Sequence, residues 1–274
     1  MVNGYFYSTF SCDPFYNMAM DEWLFARAAE EPDSVFVRLY SWNPGAITIG
    51  LNQEIERAVD SSQLKGTAVI RRMTGGRALY HDPGELTYSI AASASGASSG
   101  ILGSSVQETS RLISTALAGF LDDIGFATQI VRQSYPGFKE KDGFNKLSCF
   151  QSAARYEIVS DGRKIVGSAQ RRINDTFLQH GSIKLNKQAE HPALSKKADC
   201  EPEPDETQWI KGKNLSDISE SFSRNLAETL GISLAIRTPE EPEQQAIETI
   251  RDFLMKNPLM KRNLIKRSDP VESL

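Results

Sequence analysis

Two short segments carry residue types that could bind a small ligand bearing a carbonyl group or a negative charge. Residues 71–82 combine arginines with the adjacent glycines Gly75 and Gly76, and residues 162–170 place Lys164 between glycines. Adjacent glycines let main-chain N–H groups approach a ligand closely, and arginine offers a planar set of donors suited to carboxylate or phosphate. The simpler alternative for the first segment is a surface turn with solvated arginines. We predict one site built from both segments.

The sequence predicts strands beside each segment, over residues 67–70, 85–90, 155–159, 164–169 and 176–185. The first of these is a short β-branched run, the second alternates like a half-buried strand, and the Asp161-Gly162 pair suits a tight hairpin. Loops held between strands are a common place for binding chemistry. Residues 93–105 are rich in Ser, Ala and Gly, and we predict a connector there rather than a lid.

The rest of the chain predicts further strands and several helices. Strands are expected over residues 5–10, 35–40 and 46–50, and helices over residues 14–29, 104–124, 216–230 and 239–255. Asp13 is the predicted N-cap of the first helix, with Pro14 in its first turn. Because strands and helices are grouped rather than alternating as βαβ units, we predict an α+β fold.

The composition narrows the function classes. The chain has 274 residues, is 40% hydrophobic, and carries a formal net charge of −4, which argues against a general nucleic-acid binder. Its cysteines, Cys12, Cys149 and Cys200, are scattered and form no CxxC pair, so we expect a cytoplasmic protein. We find no secretory signal and no apolar run near the roughly 18 residues that span a bilayer, so we expect no membrane partner. No metal site is predicted.

Several motifs stand in a fixed order along residues 5–190: Asn17–Glu22, Arg71–Arg77, His81-Asp82, Gly162–Gln170 and His180–Ser182. Together they resemble the biotin/lipoate protein ligase family, in its octanoyltransferase and lipoate-protein ligase branch. The resemblance implies a mixed β-sheet packed with helices, like the catalytic core of class II aminoacyl-tRNA synthetases and biotin ligases. It also implies a single catalytic domain over residues 1–274, with a small helical C-terminal extension over about residues 207–274.

The resemblance implies one of two chemistries. Lipoate ligases of this branch use ATP and Mg²⁺ to form an acyl adenylate, whereas octanoyltransferases take a thioester from acyl carrier protein and need no cofactor. The transferase is favoured because little room remains for an accessory domain and because residues 85–89 replace an asparagine-rich pattern typical of ligases. In addition, Ser148-Cys149-Phe150 precedes the hairpin at the position where one transferase subgroup carries its nucleophilic cysteine.

The expected reaction is therefore octanoyl or lipoyl transfer from acyl carrier protein to a specific lysine of a lipoyl domain, through a thioester on Cys149. The acceptors implied are lipoyl domains of 2-oxoacid dehydrogenase E2 subunits or the glycine cleavage H protein. An ATP-dependent lipoate ligase and a transferase acting between lipoyl domains are the enzymatic alternatives. A noncatalytic relative is the third class. We expect a monomer.

The resemblance also implies a role for each site residue. Lys164 would contact the acyl carbonyl and lower the pKa of the Cys149 thiol, although a lone cysteine is usually a small buried hydrophobe and Lys164 could be a solvated hairpin residue. The expected substrate-binding residues are Arg72, Gly75, Gly76, Arg77, His81, Gly167, Ser168 and Ala169. His81 is either a proton acceptor or a structural histidine. Cys12 and Cys200 are expected to be structural.

Overall fold

A six-stranded mixed sheet lies at the centre of the protein in a computed structural model, which describes residues 2–131, 156–185, 191–194 and 214–262. The strands are β1 (Asn3–Cys12), β2 (Ser34–Trp42), β3 (Ala46–Ile49), β4 (Val69–Arg71), β5 (Leu79–His81), β6 (Leu86–Ser93), β7 (Thr128–Val131), β8 (Glu157–Ser160), β9 (Arg163–Lys164), β10 (Val166–Ile173), β11 (Thr176–Ile183) and β12 (Leu234–Ile236). The helices are α1 (Pro14–Glu30), α2 (Ile55–Ala58), α3 (Ser99–Leu102), α4 (Val106–Asp123), α5 (Leu215–Leu230) and α6 (Glu241–Lys256). Cys149 and Cys200 lie outside the described residues.

The central sheet has the strand order β10-β11-β6-β2-β1-β12. Its pairs are antiparallel from β10 to β2, and parallel from β2 through β1 to β12. Two three-stranded sheets, β4-β3-β5 and β7-β8-β9, accompany it. The predicted α+β fold with a mixed sheet is therefore confirmed.

Helices cover both faces of the central sheet, and the alternation along β2 shows how the core is divided. Val35, Val37 and Leu39 pack in one cluster with Phe120 of α4 and Phe222 of α5. The intervening Phe36 and Tyr40 pack on the opposite face, in a second cluster with residues of α1 and α6. Because both faces are covered, every residue of β2 is buried.

The two longest helices, α1 and α4, begin at residues that cap them. The Asp13 carboxylate accepts from the backbone N–H groups of Phe15 and Tyr16 at 2.9 and 3.0 Å, and Pro14 occupies the first helical position. These contacts satisfy donors that the first turn leaves unpaired, which confirms the predicted start of α1. Ser105 and Glu108 form a reciprocal capping box at the start of α4.

Two local predictions need correction. Strand β6 is buried along its whole length rather than on alternate residues, because it lies between β2 and β11 under helices on both faces. The strand predicted over residues 164–169 breaks at Ile165, where the chain passes from β9 in a small sheet to β10 in the central sheet. The region 93–105, where a connector is predicted, includes the short helix α3, and the Ser98 hydroxyl lies 2.6 Å from the Ser93 carbonyl oxygen.

Candidate functional site

The glycine loop, residues 72–77, connects β4 to β5 and packs against the turn that follows β3. The Arg72 N–H donates to the Ile49 carbonyl at 3.0 Å, and the Leu51 N–H donates to the Thr74 carbonyl at 2.8 Å. A Cβ atom at Gly50 would lie 2.1 Å from the Gly76 carbonyl oxygen, so only glycine permits this approach. The loop is therefore fixed by main-chain contacts along one side.

Arg72 holds the shape of this loop from inside the protein. Its Nε and Nη2 donate to the Gly75 carbonyl at 3.1 and 2.6 Å, and Nη2 also donates to the Arg77 carbonyl at 2.8 Å. Its Nη1 donates to the carbonyl and hydroxyl oxygens of Thr48 at 3.2 and 3.1 Å. Burial lowers the pKa of Arg72 to about 10, which leaves the guanidinium charged at neutral pH. Arg72 thus acts on the loop's backbone, whereas the Arg77 side chain is exposed.

A buried chain of polar side chains connects the loop to α1. Thr74 Oγ1 lies 2.5 Å from His180 Nε2, and His180 Nδ1 lies 2.9 Å from Asp21 Oδ2. Asp21 Oδ1 also accepts from Arg38 at 3.2 Å and from Ser89 at 2.8 Å. Burial favours a raised pKa for Asp21, but the hydrogen bond and charge of His180, together with Arg38, hold it below its ordinary value. Asp21 is therefore a carboxylate that orients His180, and His180 orients the Thr74 hydroxyl.

A second chain of the same kind joins β5, which follows the loop, to β3. His81 Nε2 lies 2.8 Å from Thr48 Oγ1, and His81 Nδ1 lies 2.6 Å from Glu85 Oε1. Burial lowers the pKa of His81, although Glu85 opposes this. Because the ionised Glu85 can only accept, a neutral His81 donates from Nδ1 and accepts from the Thr48 hydroxyl at Nε2. Both ring nitrogens are occupied and the ring stacks on Trp42 at 4.1 Å, which favours the structural alternative over the proton acceptor.

Lys184 connects this second chain to the segment that contains Lys164. Its ammonium pairs with Glu85, lies 3.2 Å from Asp82 Oδ2, and donates to the Tyr80 carbonyl at 2.9 Å. Burial alone would lower the pKa of Lys184, but Glu85 and Asp82 raise it above its ordinary value. The same pairing holds the pKa of Glu85 at about 2 against the effect of burial. The Lys184 N–H donates to the Ile165 carbonyl at 2.7 Å, next to Lys164.

Lys164 ends the short strand β9. The preceding turn has positive φ angles at Asp161 and Gly162, 49° and 72°, as the predicted tight hairpin requires. The Lys164 ammonium donates to Glu157 Oε1 at 2.8 Å, and the side chain retains 27% exposure. Lys164 is therefore held across the hairpin and still reaches solvent. Cys149, the thiol that Lys164 is predicted to assist, lies outside the described residues.

The predicted binding residues of the two segments are connected through β10 and β11. Ala169 pairs with His180, whose ring contacts Thr74 in the glycine loop, and Gly167 pairs with Ser182. The Ser168 hydroxyl lies 2.7 Å from the Tyr88 hydroxyl. Thus the structure brings Gly167, Ser168, Ala169, Gly75, Gly76, Arg72 and His81 into one contiguous frame of strands and loops.

The residues that hold this frame were mostly missed by the sequence interpretation. Asp21, Arg38, Glu85 and Lys184 received no role, although each is buried or nearly so. Arg38 could have been found, because a charged residue inside the apolar run Val35–Tyr40 must have a buried partner. Likewise, Asp21 is a buried carboxylate of α1 beside the buried apolar residues Met18, Leu24 and Phe25.

Comparisons with known proteins identify the family of this chain. Residues 13–237 match the family described as the lipoyl protein ligase A/B catalytic domain. The protein named octanoyltransferase LipM from Staphylococcus aureus (strain NCTC 8325 / PS 47) is 39% identical over 181 residues, covering 65% of this chain and 64% of that relative. Its namesake from Kyrpidia tusciae (strain DSM 2912 / NBRC 15312 / T2) is 39% identical over 173 residues, covering 62% of each chain. The match thus spans less than two thirds of these relatives.

Solved structures share the fold at low sequence identity. A putative lipoate protein ligase from T. acidophilum with bound lipoic acid has a TM-score of 0.66 at 20% identity, covering 93% of this chain and 96% of that one. Lipoate-protein ligase A bound with ATP has a TM-score of 0.65 at 21% identity, covering 92% and 95%. Since the family match covers most of the sequence, the chain belongs to the lipoyl protein ligase A/B catalytic-domain family.

Proposed function

We propose that the protein transfers an octanoyl or lipoyl group from acyl carrier protein to a specific lysine of a lipoyl domain, through a thioester on Cys149. The observation that carries the proposal is its similarity, at 39% identity, to relatives named octanoyltransferases. The proposed acceptors are lipoyl domains of 2-oxoacid dehydrogenase E2 subunits or the glycine cleavage H protein. We further propose that the protein is a cytoplasmic monomer whose described C-terminal elements belong to a single catalytic domain, since β12 pairs with β1 and α6 packs on α1.

The proposed reaction has two steps. The Cys149 thiolate attacks the acyl thioester, the new C–S bond forms, and the carrier leaves as a thiol after taking a proton. The acceptor lysine's amine then attacks the enzyme thioester, forms an amide, and releases the Cys149 thiol. The first step exchanges one thioester for another and the second gives a more stable amide, so neither step requires a nucleotide.

Lys164 is proposed to assist both steps. An unperturbed thiol is only about 3% ionised at neutral pH, and a nearby ammonium increases that fraction. The acceptor amine has the opposite problem, because keeping it unprotonated at pH 7 requires roughly 4 to 5 kcal/mol. A cationic Lys164 that contacts the acyl carbonyl would also disfavour protonation of that amine. The ion pair with Glu157 supports this role, since it keeps the ammonium in a defined place on the hairpin.

The glycine loop is proposed to line the carbonyl end of the acyl site, with Gly167, Ser168 and Ala169 of β10 on the other side. Among the described residues, and apart from each glycine and its two chain neighbours, no heavy atom lies within 4 Å of the position that a Cβ would take at Gly75 or Gly167. This space supports an approach of substrate to the main chain at both glycines. Arg72 and His81 would then contribute by fixing the loop, and Arg77 by its exposed charge.

The proposal is tested by supplying alternative acyl donors to the purified protein with a lipoyl domain as acceptor and measuring the intact mass of the acceptor. We expect octanoylation from octanoyl-acyl carrier protein without nucleotide, and none from free octanoate or lipoate with or without ATP and Mg²⁺. Modification only from a free acid with ATP would identify a ligase instead, and transfer only from an acylated lipoyl domain would identify the third alternative. Ligand binding without turnover would identify a noncatalytic relative.

Substitution of Lys164 gives an internal comparison in the same assay. We expect Lys164→Ala to lower the transfer rate at least about a hundredfold, the scale expected for loss of one charge-stabilising group in a site. Lys256→Ala, an exposed lysine at the end of α6, is the matched control and should transfer at the wild-type rate. Equal rates for both variants would contradict the role of Lys164.

A further inference from the structure

The segment 257–262, which follows α6, lies outside the residues that match the family, yet it contacts the base of the glycine loop. The Arg71 backbone N–H donates to the Pro258 carbonyl at 2.7 Å, and Arg71 Nε donates to the Leu259 carbonyl at 2.7 Å. Arg71 is the last residue of β4 and immediately precedes the loop. The segment therefore binds the backbone and side chain of the residue from which the loop begins.

Arg71 also binds the turn at residues 50–53, against which the glycine loop packs. Its Nη1 donates to the carbonyl oxygens of Gly50, Leu51 and Gln53 at 2.9, 3.0 and 2.7 Å. That turn in turn holds the loop, because Leu51 donates to the Thr74 carbonyl and Gly50 closely approaches Gly76. A continuous set of hydrogen bonds thus runs from the segment 257–262 through Arg71 to the glycine loop.

Arg262 fastens the other end of the segment. Its guanidinium forms an ion pair with Glu22 of α1, and the side chains are only 12% and 5% exposed. The Arg262 Cζ also lies 5.0 Å from the centre of the Phe253 ring of α6. Burial raises the pKa of Glu22 to about 7 against the opposing effect of Arg262, so the pair is fully charged only above about pH 7. The segment is therefore held at two places: Arg262 contacts α1 and α6, and the carbonyls of Pro258 and Leu259 accept from Arg71 of β4.

We propose that the segment 257–262 positions the glycine loop, and that Arg262 is a positioning residue acting through the carbonyls of Pro258 and Leu259 on Arg71. The inference that this affects acyl transfer rests on the proposed function, but the positioning itself does not. Removal of the Arg262–Glu22 pair should release the segment, deprive Arg71 of its two acceptors there, and loosen the loop without changing any residue that faces the site.

Hydrogen exchange of the Arg71 amide, measured in the full-length protein without substrate at pH 8, where Glu22 is ionised, tests this inference. We expect Arg262→Met to speed exchange at Arg71 at least about tenfold. Arg262→Lys, which keeps the charge, should restore part of the protection. Glu22→Gln, which keeps the shape of the buried partner, provides a second way to break the pair and should also speed exchange at Arg71.

Glu243→Gln is the matched control, because Glu243 forms an ion pair with Arg27 at 2.5 Å and so also joins α6 to α1, away from the loop. It should leave exchange at Arg71 unchanged. Unaltered exchange at Arg71 in both Arg262→Met and Glu22→Gln would overturn the inference, and so would an equal increase in Glu243→Gln.

The transfer assay adds a separate readout of the consequence for catalysis. We expect Arg262→Met to lower the transfer rate about tenfold while Glu243→Gln transfers at the wild-type rate. A wild-type protein that transfers nothing would contradict the proposed function and leave the exchange result to decide the positioning. Accelerated exchange with wild-type transfer would overturn the link between the segment and catalysis.

Discussion

Replacement of Glu85 by Gln tests the buried charge cluster of His81, Asp82, Glu85 and Lys184, which joins β5 to the residue that follows β11. Glu85 is 1% exposed, and its carboxylate accepts from His81 Nδ1 at 2.6 Å and from the Thr87 hydroxyl at 2.9 Å while pairing with Lys184. These partners hold its pKa at about 2, against an ordinary value of 4.5. A glutamine keeps the shape and removes the charge.

The magnitude follows from the difference between the two pKa values. A difference of about 2.5, at about 1.36 kcal/mol for each pKa unit, corresponds to about 3 kcal/mol of folding free energy. Since the folded pKa lies below the unfolded one, this stabilisation is present above about pH 4.5 and is lost as the pH falls toward 2. We therefore expect Glu85→Gln to lower the free energy of unfolding by about 3 kcal/mol at pH 5.5, and by less than half of that at pH 3.

Urea unfolding of both proteins at pH 5.5, 4.5 and 3 measures this difference. Glu54→Gln is the matched control, because Glu54 pairs with Arg57 on the surface at 62% exposure and should change stability by less than about 0.5 kcal/mol. A Glu85→Gln protein as stable as wild type at pH 5.5 would refute the reasoning. A loss of stability that stays constant from pH 5.5 to pH 3 would do so as well.

Further substitutions test how the glycine loop is packed. Gly50→Ala places a Cβ 2.1 Å from the Gly76 carbonyl, so it should displace the loop and lower the transfer rate at least about tenfold; Gly100→Ala, where the space is open, should have no effect in the same assay. Thr74→Val leaves the buried His180 Nε2 without its partner and should lower the free energy of unfolding by about 1–3 kcal/mol. Thr74→Ser keeps the hydroxyl and should restore most of that loss in urea unfolding, whereas equal losses for both variants would argue against the hydrogen bond.

Local signals in the sequence predict much of the fold. Asp13 and Pro14 mark the start of α1, and the Asp161-Gly162 pair marks the hairpin before Lys164, because each acts through its own backbone or its nearest neighbours. The helices predicted over residues 216–230 and 239–255 are confirmed as α5 and α6. Such features depend on contacts a few residues apart, which a sequence displays directly.

Features that depend on distant partners could not be predicted in this way. Residue type alone suggested that Arg71 and Arg72 face a ligand, whereas both donate to carbonyl oxygens that the fold brings from β3 and from the segment 257–262. Strand β12 is too short to show a pattern of its own and forms because β1 offers it an edge. The change of sheet at Ile165 likewise follows from where β8 and β11 lie, since the Ile165 N–H pairs with Ile158 and its carbonyl with Lys184.

The candidate site likewise combines features that local motifs predict with contacts that depend on distant partners. The motifs placed Lys164, Gly75, Gly76 and His81 in the site region, but the sequence alone gave no reason to join His180 to Thr74 or Lys184 to Glu85. Those pairs are separated by about a hundred residues: Lys184 meets Glu85 because β11 lies beside β6 in the central sheet, and His180 meets Thr74 because the glycine loop packs against β11. The sequence signal for such pairs is a charged residue inside an apolar run, because a buried charge needs a partner.

The most direct test of the proposed mechanism is the intact mass of the protein after incubation with octanoyl-acyl carrier protein in the absence of an acceptor. We predict a single octanoyl adduct on wild type and on Cys12→Ala, and none on Cys149→Ala. The adduct should also disappear when a lipoyl domain is added, with the octanoyl group recovered on the acceptor. An unmodified wild-type protein, or an adduct that persists in Cys149→Ala, would contradict transfer through a Cys149 thioester.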